Sequence, residues 1–81
     1  MKFQHDILIL EDDGEYFLFR NEAQKAISKQ YELIIKAVMS GVTQEAKIIG
    51  ELIQNGMSQT QAALLCTAFI IEYSDELESE Q

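Results

Sequence analysis

The 81-residue chain has no proline, no tryptophan, a single cysteine, a single histidine and only 6 basic residues against 14 acidic ones. Each scarcity removes a class of protein. Cys66 alone closes no intramolecular disulfide, and together with His5 it falls short of the four ligands of a structural zinc site. The shortage of bases leaves a net charge of −8, which opposes nucleic-acid binding because that affinity rests on lysine and arginine neutralising phosphates. The four glycines, 14, 41, 50 and 56, stand apart, so there is no glycine-rich phosphate loop. Long apolar runs are missing too. The uncharged part of the last helical segment, Gln59 to Ile71, has 13 residues where a membrane span needs about 20. The apolar run Ile7 to Leu10 is too short for the core of a secretory signal, so a cytosolic protein without a membrane segment is expected.

What is present is a hydrophobic fraction of 47%, enough for one core but not two at this length. The expectation is one compact domain over residues 1–74 and an acidic, fraying tail over 75–81, where negative charge meets the negative pole of a helix dipole. Charge is terminal: residues 1–22 carry −4, residues 23–71 carry +1 and residues 72–81 carry −5.

The fold class expected is α+β, mainly α, with an N-terminal two-stranded antiparallel hairpin over residues 3–20 followed by three helices. Ile7-Leu8-Ile9-Leu10 and Tyr16-Phe17-Leu18-Phe19 flank Asp13-Gly14, a preferred type I′ turn, in a register that pairs Leu10 with Phe17 and Ile9 with Leu18. Both faces of that hairpin are apolar. The face Leu8, Leu10, Phe17 and Phe19 is expected on the helices, and the other, with Ile7, Ile9 and Leu18, is left for a cover.

A first helix is expected over about 22–39, capped by Asn21 and showing Ala23, Ile27, Tyr31, Ile34 and Val38 on one face. Helices over about 44–54 and 59–74 follow, with Gly41 and Gly56 as stops, Ser58 and Gln61 as a capping box, and Ala46, Ile49, Leu52 and Ile53 inward on the second. The third is apolar nearly all round, which implies a more enclosed setting than one small chain offers.

Chemistry finds little foothold. His5 has no neighbour in sequence to orient it as a base toward Cys66 or a serine, so no enzyme and no cofactor is expected. The tip acids Glu11, Asp12, Asp13 and Glu15 lack the ligand spacing of a calcium loop and read as a solvated turn, not a metal site. The leading expectation is a non-enzymatic protein-interaction module, a homodimer or larger that regulates or inhibits a protein partner, whose basic surface the acids would steer toward. Candidate partner contacts are Glu11, Asp12, Asp13, Glu15, Tyr16, Phe17 and Phe19. The candidate oligomer seam is Ile7, Ile9, Leu18, Ala46, Gly50, Leu65 and Phe69, with the small Ala46 and Gly50 letting another helix approach. The alternative is a helix-turn-helix DNA reader over residues 43–71, with Lys25, Lys29, Lys36 and Lys47 on phosphates, against which stands the absence of any base from 57 to 81.

Overall fold

The computed structural model describes residues 1–78 and shows a mixed α+β fold with strands first and helices after. Strands β1 (Ile7–Asp12), β2 (Glu15–Arg20) and β3 (Ala23–Ala26) form an antiparallel sheet in the order β1-β2-β3. A short 3-10 turn, Lys29–Tyr31, leads into α1 (Glu32–Met39), followed by α2 (Glu45–Gln54) and α3 (Gln59–Glu72).

The hairpin register is the expected one, with Leu10 opposite Phe17 and Ile9 opposite Leu18. Asp13 (φ 55°) and Gly14 (φ 81°) both sit in the left-handed region that a type I′ turn requires. Beyond the hairpin the sheet has a third strand where the helical spacing pointed to the first turns of a helix. Asn21 is not a helix cap: its φ is 54°, a turn conformation that asparagine tolerates, and it reverses the chain so that Ala23–Ala26 pairs with β2. Ala-Gln-Lys-Ala is a good helix former, but as a strand it supplies backbone partners for the far edge of β2 and brings Lys25 to Glu76 at 2.8 Å. The first helix therefore begins ten residues later, and only Tyr31, Ile34 and Val38 of the expected apolar series lie in or at its start.

The helix stops behave as local chemistry dictates. After α1, Val42 N–H bonds the Ala37 carbonyl (3.0 Å) and Gly41 N–H bonds that of Val38 (3.1 Å). After α2 the same pattern recurs from Met57 to Leu52 (3.2 Å) and from Gly56 to Ile53 (3.0 Å), so both ends are Schellman motifs. At the start of α3, Ser58 Oγ accepts from Gln61 N–H while Gln61 reaches back, the expected capping box.

The core is centred on Tyr31, Ile34, Ile35, Ile48, Leu52, Cys66, Phe69 and Tyr73. Phe69 is its aromatic hub, with Tyr31 at 5.3 Å, Tyr73 at 4.9 Å and Phe3 at 6.1 Å between ring centroids. On α2 the buried residues are Ile48 and Leu52, not the expected set: Ala46 and Ile53 are exposed and Ile49 is half-buried.

The expected fraying after residue 74 is overturned as far as residue 78. Gln4 N–H bonds the Glu76 carbonyl (2.9 Å), Glu78 N–H bonds the Lys2 carbonyl (2.8 Å), and Leu77 is buried opposite Phe3. The N-terminal segment provides the hydrogen bonds that a free helix end would lack. Ser79, Glu80 and Gln81, the end of the expected tail, lie outside the described residues.

Candidate functional site: the open face of the sheet

Alternation along β1 and β2 divides the sheet residues into two sets. Ile7, Ile9, Glu11, Tyr16, Leu18 and Arg20 share one face, joined from β3 by Lys25, which is paired with Leu18. This face lies on the helices, with Tyr16 and Leu18 buried and Ile7 and Ile9 half-buried against the core. The opposite face holds Leu8, Leu10, Phe17 and Phe19 with Gln24 and Ala26 of β3. It is the open one: Leu8 is 54% and Leu10 46% exposed, while Phe17 and Phe19 are half-buried.

The expected packing of the hairpin is thus inverted. Leu8, Leu10, Phe17 and Phe19 do not meet the helices; the Ile7, Ile9 and Leu18 face does. The charged groups at its end decide the matter. Arg20 Nη2 donates to Gln4 Oε1 (2.9 Å) and to the Asp75 carbonyl (3.0 Å), and its Nε lies 3.3 Å from Asp6 Oδ2. Lys25 Nζ pairs with the nearly buried Glu76 and lies 4.7 Å from the Tyr73 ring centre. Both bases extend to the terminal segments, so their placement beside the core leaves neither charge stranded.

The candidate partner contacts separate accordingly. Glu11, Asp12, Asp13 and Glu15 are all exposed at the tip, and Phe17 and Phe19 lie on the open face. Tyr16 does not belong with them, because its side chain is consumed by the core. Leu8 and Leu10 join the open face in its place. No signal in the sequence separates the two apolar sets; only the reach of Arg20 and Lys25 does.

The candidate seam also divides. Leu18 and Phe69 are core residues, and Ile7 and Ile9 are half-buried against the helices. Leu65 is half-buried, Ala46 is exposed and Gly50 half-buried. A Cβ built on Gly50 meets nothing within 4 Å, so close helix packing inside the chain is not what the glycine serves.

His5 is exposed, whereas Cys66 is fully enclosed, and burial pushes its thiol up to about 11, protonated and unreactive at neutral pH. Among the described residues no three His, Cys, Asp or Glu side chains converge as metal ligands. No helix among them is long and apolar enough to cross a membrane.

The charge of the open face is one-sided. Among the strand residues, Asp12 and Glu15, paired at the end of the hairpin, are the ionic side chains of this face, and Arg20 and Lys25 belong to the other. Beside the tip a recess lined by Asp13, Glu15, Tyr16, Ile27, Lys29 and Glu32 adds further carboxylates and one base. The surface therefore offers apolar contact bordered by negative charge. Comparison with known protein families, with curated proteins and with solved structures finds no match to this chain.

Proposed function

We propose that this protein is a small, acidic, non-enzymatic interaction module that docks a protein partner on the open face of its sheet and so regulates or inhibits it, in a cytosolic setting. The observation that carries the reading is the face Leu8, Leu10, Phe17 and Phe19, four large apolar side chains left partly or wholly uncovered, with the acids of the hairpin tip at one end. Exposed apolar patches of this kind mark interaction surfaces. Charge complementarity selects a partner with an apolar centre and a basic rim, whose approach the tip acids accelerate at low salt.

Capture from extracts of the native cell tests the reading when wild type is compared with Leu10→Asp and Phe17→Asp. Proteins held by wild type should be lost with both variants and retained by Leu64→Asp, which alters an exposed position on α3 instead of the sheet. Retention by all three would remove the open face as the docking surface. Neutralising Glu11, Asp12, Asp13 and Glu15 to Asn or Gln should then slow association with the captured partner and flatten its salt dependence.

One observation favours a second reading. The turn between α2 and α3 leaves Gln59, Thr60 and Gln61 exposed at the start of α3, the outline of a helix-turn-helix. No base between 57 and 78 supports it, and a gel shift with duplex DNA that fades with salt is the result it requires.

A further inference from the structure

The outward side of α3 carries a second uncovered apolar surface of different character. Ala62, Cys66 and Phe69 face the core, so Thr60, Leu64, Thr67, Ala68 and Ile71 form the opposite stripe, with Leu64 65% and Ile71 70% exposed. Next to Leu64 the surface dips into an open depression lined by Gln30, Met57, Gln61, Leu64, Leu65 and Ala68. Neither the stripe nor the depression contains a charged residue.

We propose that a second copy of this chain docks here, the two α3 helices crossing antiparallel about a two-fold axis at Thr67 and Ala68. Charge selects the occupant. Two copies that each carry −8 repel one another, so they meet at lowest cost where the facing side chains are neutral. The open sheet face meets that condition less well, since it carries Asp12 and Glu15 at its tip. The α3 face meets it. Glu72, which follows the stripe in sequence, has its carboxylate accepting from the Tyr31 hydroxyl at 3.1 Å.

Shape points the same way. Leu64, Thr67, Ala68 and Ile71 read large, small, small, large about a midpoint between 67 and 68. An antiparallel pair related at that midpoint crosses where side chains are short and backbones approach closely. It also places the most exposed knob, Ile71, level with the other copy's Leu64, beside the depression between Gln61 and Ala68. The interface is self-complementary, as a two-fold contact must be. A specific contact needs about 1,000 Å² in total. The stripe, with Met57 and Leu65 of the adjoining depression, supplies uncharged surface from which to draw that area. This contact stands independently of what the sheet face binds.

Light scattering behind size exclusion, across the micromolar to millimolar range, tests it. Wild type should approach twice 9.2 kDa. Leu64→Glu and Ile71→Glu should each weaken association at least about tenfold with unchanged circular dichroism, because both positions are exposed, and Leu10→Glu should leave it intact. Added salt should tighten the dimer by screening the repulsion. Oxidised Ala68→Cys should trap a covalent dimer across the axis, and oxidised Leu10→Cys should not. A chain that stays at 9.2 kDa throughout overturns the proposal. So does a dimer that Leu10→Glu breaks and Ile71→Glu spares, or one that salt loosens.

Discussion

On one face of the sheet Ile7, Ile9, Tyr16 and Leu18 lie against the helices, while on the other Leu8, Leu10, Phe17 and Phe19 meet solvent in part or in full. The two sets match in number and nearly in size, so hydrophobicity does not choose between them. The choice falls on the face whose ends carry Arg20 and Lys25, because the terminal segments supply Gln4, Asp6, the Asp75 carbonyl and Glu76 to receive them. A base beside a core is acceptable when its own chain provides the partner. The face without bases has no such anchor and is left open to solvent.

The largest expected contrast comes from placing a charge on each face in turn. Leu18→Asp buries an unpaired carboxylate and should cost several kcal/mol against a total stability of about 5 to 15, abolishing a cooperative melt. Leu10→Asp, one register step away on the open side, should shift stability by no more than about 0.5 kcal/mol. Thermal melts followed by circular dichroism measure both, and equal losses would erase the distinction between the faces.

Next in size is an alkaline transition confined to the covered side. Burial raises the Cys66 thiol from 9.0 to about 11 and the Tyr73 hydroxyl from 10.0 to about 12, with Glu72 adding to the second. The native state holds these protons to higher pH than the unfolded chain does, so the stability they contribute is whole below about pH 9 and is lost as pH climbs through 11 and 12. Each group accounts for on the order of 2 kcal/mol. Urea midpoints measured against pH should fall across that window. Tyr73→Phe should remove the part of the fall that begins near pH 10, and Leu8→Thr on the open face should change none of it.

The smallest effect concerns the tether itself. Lys25 is half-exposed, so its pair with Glu76 is screened, and Glu76→Gln should cost about 1 kcal/mol or less. Amide hydrogen exchange gives the sharper reading: protection should drop at Gln4 and Glu78 before it drops in β1 and β2. Uniform loss across the sheet would mean that the terminal segment does not anchor the covered face separately.

Local signals were legible in the sequence and long-range choices were not. The hairpin register follows from Asp13-Gly14, the ends of α1 and α2 from Gly41 and Gly56, and the start of α3 from Ser58 and Gln61, each settled within a few residues. The strand Ala23–Ala26 was not legible, because the pairing with β2 outweighs its helix propensity. Nor was the covered face, which depends on contacts between Arg20 and Asp75, 55 positions apart. The sequence pattern points Leu8, Leu10, Phe17 and Phe19 to the interior and Tyr16 to the surface, the reverse of the faces they occupy, since a period of two defines two faces without ranking them.

The central claim, that the open face is where a partner docks, is tested most directly by side-chain footprinting of the protein alone and with a captured partner. Labelling at Leu8, Leu10, Phe17 and Phe19 should fall sharply on binding, while that at Leu64 and Ile71 on α3 stays as it was. Unchanged labelling at Leu8 and Leu10, or protection that appears at Leu64 and Ile71 instead, would contradict the account.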